Sequence, residues 1–404
     1  MAKKETIRDG WEEEEAFEET EELEELDEKI HRHRMGIVRR VLVAVGVVVL
    51  LGVILLLYLE LRSYRSFEVQ ETIPRTTGIG AKYEEFSGDI ISYSNDGINC
   101  MTPSGEALWN RSFEMTAPRT CKCKDYLGIY DQNGTRLYIL TAAGIEQEIE
   151  VSKPIQKVCI AKQGVSAVLM KEDDVFYVRL FDRKGKEIAS GEFYESSGGH
   201  PVDIALSHDA TKLAVDMIDI SGGKVKSTIS FYNFGSVGQN EIDNNVGSYS
   251  YDNVLIPEIS YVSDTRMIAI GDDRYVMFDG KEKPKESRVI EWEQEVSSVF
   301  YNEKYIGITY ANRDEEDTYH IKVYHLNGSV AMENDTSVRY ATISFLANNN
   351  ICVQSENEAE IFTIHSIRRF YGEFEENLQY ILSRDRYQDY LFVYEDRLDE
   401  VRLK

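Results

Sequence analysis

The chain has 404 residues, with 71 Asp and Glu against 45 Lys and Arg, a formal net charge of −26. A surface this acidic repels phosphate backbones and anionic leaflets, which excludes nucleic acid as a partner and excludes flat adsorption to a membrane. Apolar residues make up 42%, enough for a packed core and too many for a disordered chain.

Residues 1–40 carry 14 acidic and 8 basic side chains. Most positions between Glu12 and Glu28 are Glu, so this segment is expected to be an acidic cytoplasmic tail, largely disordered or forming a short helix. Ala16, Leu23 and Ile30 lie seven apart with Leu26 between them, a thin apolar seam too short for a coiled coil. Its functional reading is a docking helix for a basic cytosolic partner.

Val41 to Leu61 read VLVAVGVVVLLGVILLLYLEL, with Glu60 as the single charge. At a rise of 1.5 Å per residue the run spans roughly 30 Å, the thickness of a hydrocarbon core, so it is expected to lie in cytoplasmic membrane lipid. Lys29, Arg32, Arg34, Arg39 and Arg40 precede it, and only Arg62 and Arg65 follow closely, which puts the N-terminus in the cytoplasm. The 40-residue n-region and the lack of a small-x-small site after Leu57 argue for a signal-anchor over a cleaved signal peptide. Residues 62–82 are expected to form a stalk.

Residues 83–404 are expected to form one extracytoplasmic domain. Runs rich in Val, Ile, Tyr and Phe alternate with Asn, Asp and Gly, as many short antiparallel strands require. One small, apolar run recurs eight times: Asp89–Ser94, Tyr126–Asp131, Val165–Met170, Lys212–Met217, Arg266–Gly271, Tyr305–Tyr310, Asn350–Ser355 and Tyr390–Glu395. Its spacing is that of four-stranded propeller blades. A second element, a strand followed by a glycine turn, places Gly105, Gly144, Gly185, Gly235, Gly280 and Gly328 at the same spacing, where a tight hairpin favours positive φ. The predicted fold is therefore all-β: an eight-bladed β-propeller after one transmembrane helix, or a seven-bladed one if the first and last copies share a blade. The last copy is followed only by RLDEVRLK, one strand short of a full blade. Either SFEVQETI or AKYEEFS, upstream of the first copy, would supply the missing strand and remove an exposed edge.

The stretches DIISYSNDGINCMTPSGEALWNRSF (Asp89–Phe113), DIALSHDATKLAV (Asp203–Val215), ISFYNFGSVG (Ile229–Gly238) and YLFVYEDRLDEVRLK (Tyr390–Lys404) resemble a family of membrane-anchored, propeller-like proteins of Gram-positive bacteria, catalogued only as a domain of unknown function. The resemblance implies topology and fold and carries over no site residue. A looser likeness links GEALW (Gly105–Trp109) to the docking turn of quinoprotein-type propellers, but Trp occupies that slot once, which counts against a quinone cofactor.

No nucleophile elbow, P-loop or metalloprotease motif is present, and no catalytic, cofactor or metal residue is assigned. His208-Asp209 reads as a hairpin turn, lacking the third partner a catalytic pair needs. The acidic run Asn312–Thr318 lacks the alternation and glycine of a calcium loop and reads as a hairpin tip. Cys100, Cys121, Cys123, Cys159 and Cys352 read as buried reduced thiols, with a bridge from Cys121 or Cys123 to Cys159 as the alternative. The long segment Gln239–Asn253 supplies the candidate ligand-contact loop, Tyr249, Tyr251, Asp252 and Asn253, because alternating Tyr and Ser make an adaptable surface. The functional expectation is a non-catalytic binding or scaffolding module for a protein, peptide or cell-wall ligand. An enzyme using the central pocket, and a sensor relaying through the Glu-rich tail, are the rivals.

Overall fold

The computed structural model describes residues 31, 33–55, 58, 61–74, 80–195, 199–312, 318–384 and 386–404. The chain divides into two units, Met1–Arg62 and Ser63–Lys404. In the first, a helix over His33–Leu55 is long and apolar enough to cross a membrane. The apolar seam predicted in the acidic tail lies outside the described residues, as does most of the acidic run after Asn312.

In the second unit the described strands form eight antiparallel sheets of four. Taken in order they are blade 1 (82–112), blade 2 (118–150), blade 3 (155–194), blade 4 (200–252), blade 5 (258–291), blade 6 (296–311 with 319–336), blade 7 (342–373) and blade 8 (380–403 with 67–74). Strands are lettered a to d outward from the channel; the first strands of neighbouring blades touch one another. This settles the blade count at eight.

All eight copies of the apolar run are strand b. Its neighbours explain the composition: strands a and c pair both its edges, and the adjoining blades cover both its faces. With no solvent face there is no reason for polar alternation, so Asp89–Ser94 and Tyr126–Asp131 are buried at every position but their ends. Strand d meets water and alternates instead, as in Glu187–Tyr194.

The core is accordingly divided. Eight apolar clusters fill the eight seams between neighbouring blades. The seam between blades 7 and 8 stacks Phe67 against Phe370, Phe374 and Phe392 at centroid distances of 6.3, 5.9 and 5.0 Å.

Residues 64–74 do not form a stalk. Phe67–Pro74 is strand d of blade 8 and pairs with Arg397–Leu403 from the C-terminus. Ahead of it Tyr64 is 1% exposed, and its N–H donates to the Arg369 carbonyl at 2.8 Å. Of the two upstream segments SFEVQETI closes the ring, whereas AKYEEFS opens blade 1. Burial of Tyr64 and Phe67 in an aromatic seam is the gain that a free stalk would forgo.

The six predicted glycine turns all join strands c and d. Gly105, Gly144, Gly185 and Gly328 have positive φ; Gly235 and Gly280 do not. At Gly280 the requirement is space, since a Cβ would lie 2.5 Å from the Lys283 carbonyl oxygen. Trp109 follows the first of these turns, and its Nε1 donates to the Ala142 carbonyl of blade 2 at 2.9 Å.

Candidate functional site: an asymmetric central channel

The a–b turns of the eight blades gather at one end of the channel. Two ion pairs cross that mouth between blades that are not neighbours. Lys124 of blade 2 donates to both Glu303 oxygens of blade 6 at 2.8 and 2.6 Å. Lys162 of blade 3 does the same to Asp264 of blade 5 at 2.9 and 2.8 Å. His208 of blade 4 stands beside them, a ring nitrogen 3.1 Å from the Tyr261 carbonyl. Its neighbour Asp209 is a turn former, as predicted: one of its oxygens accepts from the hydroxyls of Ser207 and Thr211 at 2.6 and 2.8 Å.

The first strands of blades 3 to 5 are tied together by buried polar contacts, although blades 4 and 5 also reach the cavity through His208, Ser260, Tyr261 and Val262. Lys157 Nζ lies 2.7 Å from Asp203 Oδ1, and Asp203 also accepts the N–H groups of Ile204 at 2.8 Å and Ile259 at 2.9 Å. Burial alone would lower the Lys157 pKa, but the Asp203 carboxylate outweighs it and holds the ammonium charged. Asp216 is directly opposite Asp203 in register, 0% exposed, and neither of its oxygens has a hydrogen-bond partner among the described residues. Burial, with the Asp203 charge second, pushes its pKa up to about 8, so it is protonated at neutral pH.

The other side is open. A cavity of about 980 Å³ receives residues from every blade except blade 3. Blade 1 contributes consecutive carboxylates. Glu84 is 3.5 Å from Lys122 Nζ, and its second oxygen is buried without a partner. Glu85 accepts the Ser383 hydroxyl at 3.2 and 3.5 Å, with Lys122 and Arg384 also acting on its charge, and Lys122 donates to the Glu85 backbone carbonyl at 3.0 Å. Desolvation raises the Glu85 pKa. Tyr83 and Tyr380 meet at 5.8 Å between ring centroids on the blade 8 to blade 1 seam. Tyr301 donates to Glu258 at 2.6 Å. Lys304 is exposed on the rim and has no ion-pair partner among the described residues.

The predicted contact loop is not here. Tyr249, Tyr251 and Asp252 belong to strand d of blade 4, Asn245–Asp252, on the outside of the ring. Tyr249 packs on Phe278 at 5.1 Å and donates to the Pro284 carbonyl at 3.3 Å; Tyr251 donates to Glu286 at 2.6 Å. Both phenols are thus committed to blade 5. Asp252 and Asn253 border a separate recess of about 310 Å³ beside the b–c loop, at the opposite end of the sheet from the channel mouth. The length of Gln239–Asn253 is explained by two short 3₁₀ turns, Gly238–Asn240 and Ile242–Asn244, ahead of a regular outer strand. The channel residues had one visible signal, the paired carboxylates in AKYEEFS just ahead of the first strand b.

All five cysteines are free. Burial raises every thiol, Cys100 and Cys123 to about 11 and Cys159 and Cys352 to about 12. Among the described residues no three His, Cys, Asp or Glu side chains are grouped to hold a metal.

Two solved structures share the architecture. AztD from Citrobacter koseri is 10% identical over 74% of this chain and 87% of its own, with a TM-score of 0.50. BamB from Moraxella catarrhalis is 11% identical over 84% and 98%, with a TM-score of 0.49. Identities this low bear on fold alone. No curated protein matches the chain. A family of unknown function, DUF5711, matches residues 60–403, from the end of the apolar segment through strand c of blade 8. The chain therefore belongs to the DUF5711 family and folds as an eight-bladed β-propeller.

Proposed function

We propose that the protein is a binding propeller, tethered by its N-terminal helix with the ring on the extracytoplasmic side of the membrane, as in the Gram-positive surface proteins it resembles. It recognises a protein, peptide or cell-envelope ligand and does not turn it over. The observation that carries this reading is the asymmetry of the channel. Ion pairs and buried hydrogen bonds consolidate the contacts of blade 3 with blades 4 and 5, and the other seven blades line a cavity of about 980 Å³ with aromatic, hydroxyl and charged groups. Pockets of this kind, few per protein and already formed, are the usual ligand sites. The basic flank before the apolar run supports a cytoplasmic N-terminus.

The test is capture from intact cells with the unit Ser63–Lys404 as bait, which keeps Tyr64 and the closing strand. A saturable partner displaced by the full-length protein is the expected result. Retention of nothing by a folded bait would refute the reading. A phosphatase fused to the C-terminus, active only outside the cytoplasm, reads the orientation independently.

A further inference from the structure

We propose that the open side of the channel is a receptor for a short zwitterionic peptide, its ammonium at Glu85 and its carboxylate at Lys304. This rests on the binding reading above and deepens it.

The argument follows the charges that line the cavity. Lys124 and Glu303 neutralise each other across the mouth. Glu84 and Lys122 lie 3.5 Å apart and form a second pair. Two charged groups of opposite sign have no ion pair among the described residues, one of them, Glu85, being acted on at longer range by Lys122 and Arg384. Glu85, inside, has a single hydroxyl donor for its carboxylate. Lys304, on the rim, has no carboxylate within ion-pair distance among the described residues. They stand on blades 1 and 6, with blades 7 and 8 between them, so a ligand engaging both must reach across the cavity.

A half-buried carboxylate that accepts from Ser383 and has no ion pair can take further donors, and an ammonium supplies three with the compensating charge. An anionic ligand would place its charge against Glu85, and an uncharged glycan would leave both groups unpaired. The wall between the two ends suits a peptide. Tyr83, Tyr380 and Phe345 offer apolar faces, and Thr342 and Ser344 of blade 7 present exposed hydroxyls that can bond backbone amides. The volume lies at the upper end of the roughly 300–1,000 Å³ typical of ligand pockets and admits a peptide of a few residues.

The probe is free-ended trialanine, titrated by calorimetry into the full-length protein in lipid nanodiscs, beside its N-acetylated and C-amidated forms. Each blocked form is expected to bind at least about tenfold more weakly, one lost charge-assisted contact being worth about 1.4 kcal/mol or more. Glu85→Gln should abolish the penalty of N-acetylation and keep that of amidation; Lys304→Met should do the reverse. Melting curves of both variants check that the fold is kept. Equal binding of free and blocked peptides, or no binding of trialanine at millimolar concentration, overturns this assignment. If the ring nevertheless captures a cellular partner that both variants retain, the binding function stands and its site lies elsewhere. If the ring captures nothing, the binding function itself fails.

Discussion

The wall made by blades 3 to 5 and the wall made by blades 7, 8 and 1 are built from the same four-stranded unit, with equivalent apolar seams behind them. They differ in how their polar groups are satisfied. On the first, Asp203 has an ammonium and two backbone donors. On the second, Glu85 has one hydroxyl. Apolar packing between blades fixes the ring, and polar satisfaction within it decides which part of the channel is structural and which is left to meet a ligand.

The largest test of that contrast is Lys157→Met. It leaves the buried Asp203 carboxyl, whose pKa burial already raises, without its ammonium and should lower unfolding stability in urea by about 1–3 kcal/mol. The matching change on the open side, Glu85→Gln, removes a half-buried charge that has no ion pair and should leave stability within about 1 kcal/mol of the native protein. Equal losses from the two would abolish the distinction between the walls.

Asp216 sharpens the contrast through pH. Its native pKa of about 8 exceeds the unfolded value of 3.8, so the folded chain binds more protons between those limits. The stability contributed by this group is whole below about pH 4. It is lost as pH rises towards 8, at up to about 1.4 kcal/mol per pH unit. Asp216→Asn cannot ionise. Its urea midpoint should exceed the native one by a margin that grows from pH 5 to pH 8; a constant margin would mean that the aspartate is not protonated in the fold.

Smaller effects concern the mouth. The Lys124–Glu303 pair is about half exposed at both ends. Glu303→Gln should therefore cost at most about 1 kcal/mol, diminishing in salt, while leaving Lys124 free to meet an anion. Thiol labelling gives the least perturbing comparison. With all five cysteines free and their pKa values raised by burial, a maleimide at pH 7 should react slowly with the native protein and fully with the denatured one. Rapid labelling of Cys123, which lines the cavity, would show the open side to be wetter than its geometry implies.

Much of the fold was legible in the sequence because its cause is local. A strand covered on both faces and paired on both edges has to be apolar throughout, so the eight b strands stand out as a repeat. Turns between strands c and d need glycine, for φ at Gly105 and for room at Gly280, so they mark the same period. A helix long and apolar enough to cross a membrane is read from length and hydropathy alone. The site was not legible in this way. Tyr249 and Tyr251 have the composition of a contact loop, and only the packing of blade 4 on blade 5 commits them to Phe278, Pro284 and Glu286. Residues 64–74 have the position of a stalk, and only the unpaired edge of the C-terminal strand, more than 300 residues away in sequence, recruits them. Which carboxylates find partners likewise depends on blades brought together by ring closure: Asp203 meets Lys157 across one seam, and Glu85 meets the Ser383 hydroxyl across another. The sequence by itself determined the repeating unit, because strand burial and turn geometry are set by near neighbours. The tertiary structure decided the closing strand and the open side of the channel, because both follow from contacts between segments far apart in the chain.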